Sequence, residues 1–207
     1  MKILARWMLT GLLICLVSWF SLSANAQEGY ELLKTPQRTS NPEKVEVLEF
    51  FWYGCPHCFR FEPHIEAWKK SKPANVEFIN VAPPLNPAWK IHSQAFYAAQ
   101  VLGVLDKFHE SMFNAIHVEK KQMRKPADVI NLAESLGLDG EEFGKTMKSF
   151  NVDAKIRQSL QMAGNANITS VPTVIINGKY KTTGTLAGSY PNLIRVLNEL
   201  VAKESAQ

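Results

Sequence analysis

The feature that most constrains the fold of this 207-residue chain is a buried-strand pattern that leads directly into a pair of cysteines. Residues Val45–Tyr53 form a near-continuous apolar run of strand length, which is typical of a central strand covered on both faces. Gly54 ends the run, and Cys55-Pro56-His57-Cys58 follows with proline where the first turn of a helix tolerates it. The sequence therefore predicts a strand, a turn and a helix that begins at the cysteine pair.

Strand and helix patterns elsewhere predict the order of the remaining elements. The first helix is expected to extend to about Lys70, and Asn75–Ala82 has the pattern of a second strand. A long block with helical periodicity follows, in which helices are predicted at Ala88–Gly103, Leu105–His117, Pro126–Leu136, Asp139–Phe150 and Asp153–Asn165. Strand character returns in a hairpin around Asn177-Gly178, with strands at Pro172–Ile176 and Lys179–Thr183 and a last helix at Tyr190–Lys203.

This order predicts an α/β chain in which a βαβ half and a ββα half are separated by an all-helical insertion. The expected division places one domain in residues 27–85 and 166–207 and the inserted helical domain in residues 86–165. The mature chain is long enough to form one apolar core, or one domain with an insertion.

The N-terminus has the pattern of an export signal. Two basic residues precede an apolar stretch at Trp7–Phe20, and Ala24-Asn25-Ala26 supplies the small residues of a cleavage site. The stretch is shorter than the ~20 residues that span a bilayer, so a cleaved signal peptide at residues 1–26 is predicted rather than a retained anchor. Cleavage removes Cys15 and leaves the pair as the only cysteines of the mature chain.

Charge and composition argue against a nucleic-acid partner and against a disulfide-stapled fold. The chain has 23 Lys and Arg against 19 Asp and Glu, and the predicted signal peptide holds two of the basic residues, which leaves 21 against 19, or +2. A balance so close to neutral is not typical of nucleic-acid binding. Exported domains that depend on disulfides carry several pairs, whereas this chain has 46% hydrophobic residues and one pair, so an apolar core is expected to stabilise it.

The position of the pair predicts a reactive dithiol. A disulfide across so short a loop constrains the unfolded chain little, and its geometry in a first helical turn favours reduction. Cys55 is expected at the positive end of the helix dipole, where free backbone N–H groups favour the thiolate and lower its pKa. A protonated His57 adds positive charge, Pro56 stiffens the loop, and Cys58 lies one turn deeper as the resolving thiol.

Other uses of the pair fit less well. Attachment of a c-type haem needs histidine directly after the second cysteine, where this chain has Phe59. A structural zinc site needs about four ligands, and only His57 and His64 lie nearby in the sequence. No metal and no cofactor are therefore expected. The histidines outside the pair show no ligand spacing and are expected to be surface or packing residues: His64, His92, His109 and His117.

Two further positions stand out. Glu49 interrupts an apolar strand that should be buried, where a carboxylate is costly. It either relays protons near Cys58 or tunes the pKa of Cys58, or it has a structural place in which it is exposed at an edge or satisfied by hydrogen bonds, and the residues alone leave both interpretations open. Pro172 lies at the start of a predicted strand, where proline is allowed and where base rates favour a trans bond.

Together these features resemble the DsbA family, the periplasmic thiol:disulfide oxidases of the thioredoxin superfamily. The resemblance depends on the segment Phe50–Cys58, the later Val171-Pro172 dipeptide and the helical insertion between them, and Gly178-Lys179-Tyr180 is similar to the hairpin of the family. It covers essentially all of residues 27–207. CPHC in this setting is specific, whereas a CxxC motif alone is not.

The resemblance implies a thioredoxin-like fold, a redox-active Cys55–Cys58 disulfide and a strongly oxidising couple with an acidic first cysteine. It also implies that Pro172 is cis and packs against the disulfide. The backbone of Val171 is expected to pair with an extended substrate segment, which adds a strand to the sheet edge, and Pro56 is expected beside it in the substrate-binding surface.

The resemblance also gives Glu49 a counterpart, the buried glutamate near the second cysteine of the family. That glutamate pairs with a lysine on the next strand. In this chain Asn75–Ala82 has no lysine, and Asn80 falls near the corresponding position.

The sequence thus predicts a soluble, monomeric periplasmic oxidase that donates its disulfide to newly exported proteins through a mixed disulfide on Cys55. A quinone-linked membrane protein similar to DsbB is expected to reoxidise it. One alternative is an isomerase or reductase that is kept reduced. Family isomerases carry an N-terminal dimerisation domain, whereas only 18 residues of the predicted mature chain precede Val45, which argues against that form. The other alternative is a non-catalytic chaperone that uses the groove around the dithiol. Relatives of 2-hydroxychromene isomerases and glutathione transferases share the inserted fold but usually lack both cysteines and the export signal.

Overall fold

A five-stranded mixed sheet organises the chain in the computed structural model, which describes residues 29–206. The predicted signal peptide, with Cys15, lies outside the described residues. The strands are β1 Glu31–Leu32, β2 Val45–Phe50, β3 Val76–Val81, β4 Thr173–Ile176 and β5 Tyr180–Thr183. Their order across the sheet is β1-β5-β4-β2-β3, with β2 and β3 parallel and the other neighbouring pairs antiparallel.

Helices connect and cover these strands. They are α1 Pro56–Ser71, α2 Lys90–Val101, α3 Leu105–His117, α4 Pro126–Ser135, α5 Gly140–Met147, α6 Phe150–Asn165, α7 Gly184–Ala187 and α8 Tyr190–Ser205, and a 3-10 turn at Pro87–Trp89 precedes α2. Helix α1 connects the parallel strands β2 and β3, helices α2 to α6 lie between β3 and β4, and the β4–β5 hairpin leads to α7 and α8. This arrangement confirms the predicted fold class, a thioredoxin-like α/β fold with a helical insertion.

The alternation of side chains along β2 decides what lies beneath α1. Val45 and Val47 pack into the core that α1 and α8 form on one face of the sheet, whereas Leu48 and Phe50 pack on the other face against the end of α6. Successive strand residues point to opposite faces, so Glu49 shares the face of Val45 and Val47. The carboxyl group of Glu49 is thereby placed under the helix that carries the cysteine pair.

Strand β2 ends earlier than the apolar run predicts. The run extends to Tyr53, but the strand stops at Phe50 because the following side chains leave the sheet for the core of the helical insertion. Phe51 packs edge-on against both Tyr53 and Phe96, with ring centroids 5.1 Å apart in each pair. The apolar residues at the end of the run therefore join the sheet to the insertion rather than lengthening the strand.

One helix boundary and two short elements differ from the sequence prediction for local reasons. Helix α6 begins at Phe150 rather than Asp153, because the Ser149 hydroxyl accepts a hydrogen bond from the backbone N–H of Val152 and caps the helix there. The edge strand β1 and the single turn α7 were not predicted, since elements of two and four residues are too short to show a hydrophobic period.

The hairpin prediction is confirmed. Asn177 and Gly178 both have positive φ, 48° and 62°, as a two-residue turn of type I′ requires. A Cβ atom on Gly178 would lie 2.2 Å from the carbonyl oxygen of Gln37, so the close approach of that segment also requires glycine. None of the helices within residues 29–206 is both long enough and apolar enough to cross a membrane.

Candidate active site

The cysteine pair lies at the start of α1, as predicted. Cys55 is the N-cap residue with extended backbone angles, Pro56 occupies the first helical position, and Cys58 lies in the first turn. The Cys55 side of the pair reaches the surface, because the residue is 8% exposed whereas Cys58 is fully buried. Both cysteines are free thiols in this structure, so the site is seen in its dithiol form.

The turn before the pair depends on a close approach of the Trp52 ring to the backbone of Gly54. The indole of Trp52 folds back over Gly54, where a Cβ atom would lie 2.2 Å from the ring, so no larger residue fits without displacing Trp52. Trp52 itself stacks on Trp89 at a centroid distance of 4.4 Å and an interplanar angle of 7°. The entry to α1 is therefore held against the first residues of the helical insertion.

The surroundings of Cys55 favour its thiolate. A hydrogen bond from the Cys58 thiol, together with the backbone N–H groups of Cys58 and His57 and the charge of His57, lowers the pKa of Cys55 from 9.0 to about 6 against the opposing effect of burial. The direction matches the sequence prediction. The largest single cause, the neighbouring thiol, was not part of that prediction, which considered the helix N-terminus and His57.

The surroundings of Cys58 have the opposite effect. Burial is the main cause that raises the pKa of Cys58 well above its usual value, and the hydrogen bond to Cys55 and the charges of Cys55 and Glu49 raise it further. At neutral pH the pair thus combines an ionised outer sulfur with a protonated inner one. In a thiol–disulfide exchange, such an asymmetry makes the outer sulfur the better leaving group and the inner sulfur the one that is more readily protonated.

The Val171-Pro172 dipeptide lies beside the pair because β4 runs antiparallel to β2. Phe50 is opposite Thr173 in this register, which brings the residues before Thr173 next to those after Phe50. The Cys55 Sγ lies 3.4 Å from the Val171 carbonyl oxygen, which accepts a hydrogen bond from the thiol when Cys55 is protonated. The Val171–Pro172 peptide bond is cis, the isomer that the family resemblance implies and that base rates alone disfavour.

His57 is exposed and held by two neighbours. The Arg60 Nη2 lies 3.0 Å from the His57 Nδ1, and the Tyr190 hydroxyl donates to the His57 carbonyl oxygen at 3.0 Å. Arginine only donates, so the Nδ1 of His57 accepts this bond when the ring is neutral, and the charge that acts on Cys55 belongs to the protonated ring. Sequence reasoning did not single out Arg60 or Tyr190. The spacing of three residues between His57 and Arg60 on one helix was the available signal.

Glu49 lies on an inner strand and is 1% exposed, which excludes an edge position for it. It is opposite Asn80 in the parallel register, and the Asn80 amide donates to the Glu49 Oε2 at 2.9 Å. The other oxygen, Oε1, has no hydrogen-bond partner among residues 29–206. Burial and then the charge of Glu62 raise the pKa of Glu49 well above 4.5, and the charge of Lys69 opposes them.

A cavity of about 510 Å³ opens between α1 and α3 near this carboxyl group. Its lining includes Asn80, four acidic residues and three basic side chains. We call it the acidic cavity after its carboxylates, Glu62, Glu66, Asp106 and Glu110. Lys69, which lines the same cavity, forms an ion pair with Glu66 and is the cation whose charge acts on Glu49. Lys69 of α1 thus supplies a positive charge near Glu49, whereas the family resemblance implies a lysine on the next strand.

Two histidines of α3 hold Tyr53, two residues before Cys55. The hydroxyl of Tyr53 and the Nδ1 of His109 are 2.8 Å apart, and the Nε2 of His109 lies 3.2 Å from the Glu62 Oε1, close but without hydrogen-bond alignment. The Nε2 of His117 donates to the Tyr53 carbonyl oxygen at 2.7 Å. The sequence prediction treated both histidines only as packing or surface residues. Their spacing of eight residues, which returns to the same broad helix face, was the signal that could have paired them.

Comparison with known proteins places this site in a family. The family model described as a DSBA-like thioredoxin domain matches residues 46–191, which include the cysteine pair and the cis proline. The thiol:disulfide interchange protein DsbA of Burkholderia cepacia is 40% identical over 173 residues, 83% of this chain and 82% of its own. The chain belongs to the DsbA family.

Two further matches to DsbA, one by sequence and one by structure, cover most of this chain. The DsbA of Pseudomonas aeruginosa is 33% identical over 199 residues, or 94% of each chain. A crystal structure of P. aeruginosa DsbA matches with a TM-score of 0.82 and 35% identity and covers 86% of this chain and 93% of the other. As a DsbA-family member with an asymmetric CPHC pair, the protein is a thiol:disulfide oxidoreductase.

Proposed function

We propose that this protein works in the periplasm as an oxidase, which donates a Cys55–Cys58 disulfide to newly exported proteins. The observation that carries the direction of transfer is the low pKa of Cys55, about 6. An outer thiolate that is stabilised in the reduced pair makes the corresponding disulfide a stronger oxidant. A cysteine pair used for reduction needs a disulfide that is more stable relative to its dithiol.

The exchange has two steps. A substrate thiolate attacks the Cys55 sulfur, the disulfide breaks, and Cys58 leaves and takes up a proton, which its raised pKa favours. A second substrate thiolate then attacks the substrate sulfur of the mixed disulfide and releases Cys55 as a thiolate, a good leaving group because its pKa is low. Two substrate thiols lose two electrons and two protons, and the pair gains the electrons.

The residues around the pair fit this scheme. The exposed Pro56 and His57 border the cis-proline loop, and we propose that the backbone of Val171 pairs with an extended substrate segment as a strand added to the sheet edge. Pro172 would hold that segment against Cys55. Glu49 would supply the proton to Cys58, since the raised pKa of Glu49 favours its protonated form and its charge acts on Cys58.

The remaining predictions belong to this proposal. Reoxidation is assigned to a quinone-linked membrane protein similar to DsbB, and the protein is expected to act as a monomer. Residues 27–85 and 166–207 are proposed as the thioredoxin-like domain and residues 86–165 as the inserted helical domain. Most residues of one apolar core lie in α2 to α6, which supports this division, and Phe51, Tyr53 and the cysteine pair join that core to the sheet.

An equilibrium with glutathione tests the direction of transfer. The protein is incubated in buffers of graded reduced-to-oxidised glutathione ratio, and the fraction of Cys55–Cys58 disulfide is measured after acid quenching. We expect a couple more oxidising than glutathione. A couple more reducing than glutathione, or a pair that is mostly reduced in the periplasm at steady state, contradicts the oxidase.

Serine variants test the chemistry itself. Cys58→Ser cannot form the Cys55–Cys58 disulfide and should not oxidise reduced substrates. Its Cys55 thiolate is expected to attack disulfides of oxidised substrate proteins, release one substrate thiolate and remain in a mixed disulfide, because Cys58 is no longer present to displace the substrate. Cys55→Ser is expected to lose oxidation of reduced protein substrates. Full activity of Cys55→Ser in refolding of a reduced substrate would instead identify a non-catalytic chaperone.

A further inference from the structure

The groove on the cis-proline side of the pair has an unusual charge balance. It has a volume of about 730 Å³ and runs from the start of α1 past the Val171-Pro172 loop to the start of α8. Its lining contains Arg60 and His57 together with several hydroxyl groups, and no aspartate or glutamate is among the described residues that line it. We call it the cis-proline groove.

Arg60 is the permanent charge of this groove. It is exposed, and within residues 29–206 it takes part in no ion pair. One guanidinium nitrogen contacts the Nδ1 of His57 at 3.0 Å, which leaves most of its five N–H donors free. Glu31, in the neighbouring depression, is already paired with Lys181 at 2.6 Å and does not compensate Arg60.

The backbone adds to the positive potential. Two 16-residue helices, α1 and α8, begin at the groove, with His57 in the first turn of one and Tyr190 at the start of the other. The N-terminus of a helix carries a partial positive charge. Both helices therefore act in the same sense as Arg60.

We infer that the cis-proline groove selects substrate segments in which a carboxylate lies two or three residues from the reacting cysteine, and that Arg60 is the residue that determines this preference. This inference rests on the proposed oxidase function, and it names the substrate class. Arg60 follows Cys55 by five positions, a helical rise of about 7.5 Å between the two backbone positions, and its guanidinium lies against the ring of His57 in the same groove as Val171. An extended segment spans ~3.4 Å per residue, so a segment bound at Val171 would carry a side chain two or three residues from its cysteine over a comparable distance along the groove.

Matched peptides test the inference. Each peptide carries two cysteines joined by a flexible Gly-Ser linker, and the residues two positions from each cysteine are Asp, Asn or Lys. Second-order rates of peptide oxidation by the disulfide form are measured by stopped flow at low ionic strength. We expect the Asp peptide to react about 2- to 5-fold faster than the Asn peptide, the range of an exposed charge pair, and the Lys peptide to react more slowly.

Variants of the protein assign the preference to one residue. Arg60→Gln should remove the difference between the Asp and Asn peptides, whereas Arg60→Lys should retain part of it. Arg157→Gln, an exposed arginine on α6 in the helical insertion, makes the same change in net charge and should leave the preference intact. The Asp-to-Asn rate ratio within each variant cancels any general effect of Arg60 on Cys55, and comparison of that ratio between variants cancels any effect of the carboxylate on the peptide thiol.

The outcomes are distinguishable. Equal rates for Asp and Asn peptides with the unchanged protein, or an acidic preference that survives Arg60→Gln, overturns the inference. Peptides that are oxidised regardless of charge leave the oxidase function standing while the inference fails. If no peptide is oxidised, the proposed function itself fails.

Discussion

The two depressions that flank α1 have opposite charge. The acidic cavity lies between α1 and α3 and includes Glu62 and Glu66, whereas the cis-proline groove on the other flank includes Arg60 and no carboxylate among its described lining residues. Helical periodicity produces the contrast, since residues 60 and 62 are two positions apart and face different directions, while residues 62 and 66 share a face. Helix α1 thus separates a positively charged environment from a negatively charged one close to the dithiol.

The two sulfurs of the pair differ as much as the two flanks do. The Cys58 thiol, backbone N–H groups and His57 lower the pKa of Cys55 at the start of α1. Burial raises the pKa of Cys58, and the charges of Cys55 and Glu49 raise it further. The chemistry of each sulfur is therefore set by its depth in the protein and by the other sulfur.

The largest expected effect concerns the two thiols. With a pKa of about 6, Cys55 is about nine-tenths ionised at pH 7, so ultraviolet absorbance of the reduced protein should show one thiolate with an acidic midpoint. Reduced Cys58→Ser should keep a midpoint on the acidic side, and Cys55→Ser should show no thiolate below the usual alkaline range. Similar alkaline midpoints in both variants would show that the pKa values of the two thiols do not differ.

The second effect concerns the buried carboxyl group. The folded state raises the pKa of Glu49 above its unfolded value, so between the two values the folded chain binds more protons and stability falls as pH rises. Glu49→Gln removes this loss and keeps an acceptor for Asn80. It should stabilise the protein at pH 8 by about 1.4 kcal/mol for each unit by which the pKa is raised, and the gain should disappear below about pH 4.

Urea denaturation at pH 4, 6 and 8 measures this difference. Glu110→Gln, an exposed residue of the same cavity, is the matched control and should change stability by less than about 0.5 kcal/mol. A Glu49→Gln protein that loses stability at pH 8 would contradict the unfavourable burial of this carboxyl group. Glu49→Gln should also lower the pKa of Cys58, because a negative neighbour is removed.

Tyr53→Phe tests the connection between the acidic flank and the helical insertion. The change leaves the Nδ1 of His109 buried without its partner at 2.8 Å, which should cost about 1–3 kcal/mol in the free energy of unfolding. Tyr190→Phe, which removes a hydroxyl that bonds to the exposed backbone of His57, should cost less than about 0.5 kcal/mol. Equal losses in the two variants would show that the bond between Tyr53 and His109 contributes no special stability.

The smallest expected effect, on the pH dependence of stability, comes from placing a lysine opposite Glu49. Asn80 lines the acidic cavity, so a longer side chain has room there. Asn80→Lys should lower the pKa of Glu49 and flatten the decline of stability between pH 6 and pH 8. Asn80→Met has similar length without the charge and should not flatten it. An unchanged pH profile in Asn80→Lys would show that Lys69 already supplies the cation.

Local patterns in the sequence were sufficient for the longer elements and for the dithiol. The apolar run at Val45, the proline after Cys55 and the Asn177-Gly178 turn each act through neighbours in the chain, and the structure has the strand, helix and hairpin that they predict. The lowered pKa of Cys55 was predictable for the same reason, since the N–H groups that favour its thiolate belong to the next three residues.

Only the tertiary structure decided what surrounds the pair. The burial of Glu49, the hydrogen bonds of Tyr53 and the position of Val171 bring together residues that are distant in the sequence, through strand register and helix packing. Sequence periodicity gives the face on which a side chain lies but not the neighbour that it meets there. For this protein, the chain alone determined that a reactive dithiol begins a helix, and packing determined which distant residues meet the two sides of that helix, because electrostatic interactions depend on distance in space.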